Sequence, residues 1–106
     1  MSNINLVALS GRLGKDPEAK YFESGTNKTW FSIAVNKWDK KENKEIANWF
    51  DIEIWGKNAE YIAEYAKAGA LVFVEGRLDI QKWEKDGEPR SKVVVIASNI
   101  ELVKTN

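Results

Sequence analysis

The sequence predicts an all-β domain carrying one helix, folded as a small closed barrel of five strands. Three observations point there. Apolar residues alternate in strand fashion in five separate segments, and a single helical stripe falls between the third and the fourth. The strands are long for a chain of 106 residues, and coiling such a sheet onto itself removes edges that would otherwise pair with other chains. At this length one core is expected, in a single domain over 1–106. A hydrophobic content of 43% suits such a domain, whereas 30% charged residues and the lack of any long apolar run argue against a membrane protein.

The first strand is expected over about 4–13 and the second over about 28–38. In the second, Phe31, Ile33 and Val35 form an apolar row, with Trp30, Ser32, Ala34, Asn36 and Trp38 opposite. The third, about 46–55, turns Phe50, Ile52 and Ile54 inward and Trp49, Asp51, Glu53 and Trp55 outward. Ala59, Ile62, Ala63 and Ala66 then recur at helical spacing, with Asn58 as N-cap and Gly69 as a left-handed C-cap. In the fourth strand, about 70–83, Val72, Val74, Leu78 and Ile80 are the expected core row. Phe73, Glu75, Arg77, Asp79, Gln81 and Trp83 lie opposite, and Gly76 is a bulge position beyond which the faces can exchange. The fifth strand is expected over about 92–103. Two charged, turn-rich stretches, Asp39–Glu45 and Glu84–Arg90, read as long hairpin loops joining the second strand to the third and the fourth to the fifth. Three strands, a helix and two strands closing into a barrel is the OB-fold arrangement.

Composition excludes much chemistry. With no cysteine and no histidine, neither a disulfide framework, nor a zinc site of the usual kind, nor a Ser-His or Cys-His couple can be built. Asp51 and Glu53 could in principle hold a divalent cation, but no third ligand accompanies them. Gly11-Arg12-Leu13-Gly14-Lys15-Asp16 lacks the spacing and the Ser or Thr of a phosphate loop. The expectation is therefore a protein that is not an enzyme and uses no metal or cofactor. The opening Met1-Ser2-Asn3-Ile4-Asn5 lacks the basic segment of a signal peptide, which with the missing cysteines fits a cytoplasmic location. Sixteen basic residues balance sixteen acidic ones, so any affinity for phosphates must come from local placement of Lys and Arg.

Five tryptophans are many for such a chain, and their placement carries the functional reading. A single strand tryptophan is ordinarily buried for its large apolar area. Trp38, Trp49, Trp55 and Trp83 instead share the non-core face across three strands, an arrangement unfavourable in water without a partner. Trp30 and Phe73 have no helpful basic neighbour and read as structural or intersubunit residues. Lys37 precedes Trp38, Lys57 follows Trp55 by two, Lys82 precedes Trp83, and Arg77 shares the face of Trp83. Arg12, Lys15 and Lys20 flank the end of the first strand, while Lys40, Lys41 and Lys44 sit in a loop that could close over a ligand. Stacking platforms along a cationic groove are what sequence-tolerant binding of single-stranded nucleic acid needs. The same aromatic face could alternatively dock a polypeptide, making the domain a protein-interaction module.

Several stretches in this order and spacing carry a family resemblance. They are Leu9-Ser10-Gly11-Arg12-Leu13-Gly14-Lys15-Asp16-Pro17-Glu18 with Tyr21, Phe31-Ser32-Ile33-Ala34-Val35-Asn36, Trp49-Phe50 leading to Ile54-Trp55-Gly56-Lys57, Ala63-Glu64-Tyr65 through Gly69, and Val72-Phe73-Val74-Glu75-Gly76-Arg77-Leu78 ending at Trp83. Over nearly its whole length the chain resembles the bacterial-type single-stranded DNA-binding proteins. The resemblance implies an OB fold, assembled as a homotetramer, that coats single-stranded DNA in replication, repair and recombination. It implies base stacking on Trp38, Trp49, Trp55 (a position that is often Phe) and Trp83, and backbone contacts from Lys57 and Lys82, to which interleaving adds Arg12, Lys20, Lys37 and Arg77. Asp51 falls where a basic residue can occur in the family. Family members typically continue into a flexible linker and an acidic tail that recruits repair proteins. This chain stops at Asn106 with neither, so tail-mediated partners are not expected. Some cyanobacterial and plastid forms are similarly short, which makes a plastid the alternative location. A dimeric primosome-type replication protein is the neighbouring reading, with a less close aromatic pattern.

Overall fold

One strand with two partners closes the sheet. In the computed structural model, which describes residues 3–105, β1 (Val7–Leu13) pairs antiparallel with β5 (Leu71–Lys85) along Val7–Arg12, then passes to β3 (Asn27–Asp39) at Arg12 and Leu13. The ladder continues from β5 to β6 (Glu88–Lys104), across a short parallel contact of Ile52 and Glu53 with Val95 and Ile96 to β4 (Lys44–Trp55), and back to β3. The result is the expected OB-type closed sheet of five strands, with the helix α1 (Lys57–Tyr65) between β4 and β5. Closure brings backbones too close for side chains at two places. A Cβ on Gly11 would strike the carbonyl of Ala34, and one on Gly76 would strike the carbonyl of Ile96.

Inward rows from all five barrel strands and one face of α1 form a single core. Leu13, Phe31, Ile33, Ile52, Ile54, Val72, Val74, Val95 and Ile100 are buried against Ala59, Ile62 and Ala66, with Val35 and Phe50 half-buried beside them. The helix plugs one end of the barrel, and buried polar groups fix it there. The Thr29 hydroxyl donates to the Ala59 carbonyl at 2.7 Å, and the Asn27 amide to the Gly56 carbonyl at 3.1 Å. The caps differ from expectation. Gly56 (φ 87°), not Asn58, is the N-cap, because the chain must reverse sharply where β4 ends. The helix stops at an extended Ala66; Gly69 (φ 87°) shapes the next turn, where its N–H donates to Leu13 O at 2.9 Å.

Two further differences have physical causes. An additional strand, β2 (Glu18–Tyr21), pairs with Trp30–Asn27 of β3, outside the five that close. All four of its residues are exposed, so no apolar alternation marks it. Leu78 and Ile80 are not core: they are 44% and 61% exposed, because β5 shifts register at Glu75/Gly76 and leaves the barrel. The long hairpin connections take the form of paired arms. β3 and β4 stay in register out to Asp39 and Lys44, and β5 and β6 out to Lys85 and Glu88. The second arm ends in Asp86 (φ 54°) and Gly87 (φ 77°), whose left-handed pair matches the twist of the strands it joins.

Gly76→Ala is expected to destabilise the domain by about 1–3 kcal/mol, since the clash is with backbone that cannot rotate away. Urea unfolding of the two chains side by side measures it.

Candidate nucleic-acid interface

Residues directly opposite one another in a ladder share a face. Between β3 and β4 the opposed pairs are Trp38 and Glu45, Ala34 and Trp49, Ser32 and Asp51, Trp30 and Glu53, and Lys28 and Trp55. Four tryptophans therefore lie along one outer surface, with Trp49 and Trp55 about 20 Å apart by strand rise. On the second arm Gln81 lies opposite Lys92 and Trp83 opposite Arg90. The Gln81 amide reaches Glu53 at 2.8 Å and Lys92 reaches Asp51 at 3.9 Å, so the arm carrying Trp83 continues the same surface. Trp38, Trp49, Trp55 and Trp83 are 57%, 58%, 45% and 45% exposed, which places none of them in the core. A shallow cleft between Trp30, Ser32, Asp51, Glu53, Gln81 and Lys92 joins the aromatic positions.

Local packing sets how each ring is presented. Trp49 lies over Gly14, where a Cβ would come within 2.7 Å of the indole. The Trp55 indole N–H donates to Glu53 at 2.8 Å, and Phe22, from the turn after β2, stacks on the ring at 5.6 Å and 21°. Lys28 Nζ sits 5.2 Å from the Trp30 ring and 5.7 Å from that of Trp55, attracted by the negative π faces. Trp30, half-buried, donates its indole N–H to Glu18 at 3.0 Å. Trp30 thus has the basic neighbour that sequence spacing did not reveal, whereas half-buried Phe73 lies on β5 between Ser10 of β1 and Glu101 of β6.

The cationic residues are dispersed. Lys20 lies opposite Lys28, in a row that ends at Trp55, and its ammonium is 5.1 Å from Phe22. Lys57 is exposed at the first turn of α1 and Arg77 is exposed opposite Ile96. Arg12 shares a face with Ala34 but its guanidinium donates to Gly69 O at 2.8 Å. Lys37 and Lys82 pair with Ile46 and Ser91, which puts each on the reverse side of its arm from Trp38 and Trp83. Sequence reading put Gln81 on the face of Trp83 without giving it a role, and passed over Phe22, Lys28 and Lys92. Lys28 continues the row of Trp30 by two residues and was detectable from parity; Phe22, in a turn, carried no such signal. Among the described residues no three His, Cys, Asp or Glu side chains group as for a metal, and Asp51 already accepts from Ser32 at 2.7 Å. No helix of the described residues is long and apolar enough to cross a membrane.

The sequence model of the Single-strand binding protein family matches residues 4–103. The chain belongs to this family. It is 45% identical over 103 residues to Single-stranded DNA-binding protein 1 of Synechocystis sp., covering 95% of this chain and 84% of that protein. It is 41% identical to the Single-stranded DNA-binding protein of Treponema pallidum, covering 97% of this chain but 60% of that longer protein. The protein of the same name from Aquifex aeolicus is 43% identical, with 94% and 70% covered.

Gly14→Val should push the Trp49 ring outward without unfolding the domain, because the ring is open to solvent on its other side. The expected outcome is a displaced Trp49 indole N–H resonance with stability changed by less than about 0.5 kcal/mol.

Proposed function

We propose that this chain binds single-stranded DNA with little sequence preference, stacking bases on Trp38, Trp49, Trp55 and Trp83. The observation that carries this reading is the set of four half-open indoles on one continuous surface, in a family whose relatives are named for single-stranded DNA binding. Every base has a π face, so stacking tolerates sequence and contributes about 1–3 kcal/mol per base. Arg12, Lys20, Lys37, Lys57, Arg77 and Lys82 supply phosphate contacts in this reading, Lys37 and Lys82 engaging a strand that wraps around the edge of each arm. The role is protective coating of DNA in replication, repair and recombination, without catalysis, in the cytoplasm at the nucleoid.

Assembly as a homotetramer belongs to the same proposal. Ile80 and Val93 are opposed on the second arm at 61% and 56% exposure, with Leu78 two residues along, and such an apolar surface favours burial against another copy. Asn5, bonded through its side chain to the N–H and carbonyl of Leu78, holds exposed Ile4 and Leu6 beside it.

Titration with a long thymidine oligomer at low salt should quench tryptophan fluorescence, and an unchanged spectrum would overturn the DNA-binding reading. Replacing Trp38, Trp49, Trp55 or Trp83 singly by Ala should weaken binding by about 5- to 150-fold while leaving the unfolding midpoint close to wild type. Sedimentation equilibrium should give four chains per particle; a monomer or dimer at micromolar concentration would refute the tetramer.

A further inference from the structure

Glu53 is the one buried carboxylate among the described residues, at 6% exposure, and it sits in the middle of the aromatic surface. Burying a carboxylate is unfavourable unless donors surround it, and here three do. Oε1 accepts the Trp55 indole N–H at 2.8 Å, Oε2 accepts the Gln81 amide at 2.8 Å, and Lys28 Nζ lies 3.5 Å from Oε2. The donors come from β4, β5 and β3, so one side chain ties three strands together on their outer side. A fixed negative charge at the centre of a surface that receives a polyanion repels it, and a passive acid there would only weaken binding.

We propose that Glu53 is a positioning residue of the DNA-binding surface, holding Trp55, Lys28 and the Trp83 arm in one stacking-competent arrangement. The inference rests on the single-stranded DNA reading above. A tryptophan on a strand face can swing about two side-chain torsions, and a base that stacks on it must first arrest that motion. The bond from Glu53 fixes the indole edge, while Phe22 at 5.6 Å supports the ring. Gln81 is two residues before Trp83 and on the same face, so its bond to Glu53 sets how the second arm lies against β4. Lys28 is drawn over the rings of Trp30 and Trp55 rather than extended to solvent. Sequence shows none of this, because the three donors meet Glu53 only once the strand registers are known.

Positioning and passive repulsion predict opposite signs. The test measures thymidine-oligomer affinity by fluorescence for the full chain, Glu53→Gln, Glu53→Ala, Trp55→Ala and the double variant Glu53→Gln with Trp55→Ala. Glu53→Gln keeps the volume and one acceptor, so it remains informative where Glu53→Ala fails to fold, as judged by circular dichroism. Under the proposal Glu53→Gln weakens binding about 3- to 10-fold despite removing a negative charge, Glu53→Ala weakens it further, and in the Trp55→Ala background the loss is smaller but not abolished, because Glu53 still holds Lys28 and Gln81. The Trp55 indole N–H resonance, identified by its disappearance in Trp55→Ala, shifts upfield in Glu53→Gln. Equal or tighter binding by Glu53→Gln overturns the proposal, as does a loss that is undiminished without Trp55. A wild-type chain that does not bind the oligomer refutes the DNA-binding reading itself, a result separable from either of these.

Discussion

The architecture depends on β1 serving two neighbours at once. Its first part pairs with β5 and its end turns to β3, which converts an open sheet into a closed one. That turn is possible because Gly11 lets the Ala34 carbonyl approach where any side chain would stand, and Gly76 does the same for β6 on the other side of β5. Once the sheet is closed, each strand has an inside and an outside, and the alternation of side chains follows without choice. The inward residues fill with aliphatic groups and α1; the outward ones are free to do something else.

What they do is present flat, polarisable surfaces while keeping charge close to balanced. The chain as a whole is neutral, and the aromatic surface repeats this on a small scale, with Lys28 against Glu53 and Lys92 near Asp51. Under the proposed function, such a surface attracts a polyanion weakly at long range and relies on short-range contact with bases once it arrives. Asp51 belongs to this balance through Lys92 and Ser32.

Much of the fold was legible because alternation and helical spacing depend only on local sequence. The rows of β3 and β4 and the helix stripe follow directly from Phe31, Ile33, Ile52, Ile54, Ala59 and Ile62. Features governed by other strands were not legible. β2 is exposed throughout and exists only because β3 offers it an edge, and Leu78 and Ile80 leave the interior because a bulge redirects β5. The tryptophans were readable singly, by parity. Their setting was not: Phe22, Lys28 and Gln81 come from three places in the chain and meet only after the registers are set.

The Asp86-Gly87 turn has a consequence far from where it sits. A left-handed pair permits a connection of two residues, and that length dictates that Trp83 faces Arg90 and Gln81 faces Lys92. A connection one residue longer or shorter would slip the pairing, and a slip of one carries each side chain of the shifted strand to the opposite side. The stereochemistry of two small residues at the remote tip of a hairpin thereby governs whether the ladder beneath it keeps Lys92 and Arg90 turned toward the working surface or hands them to the reverse.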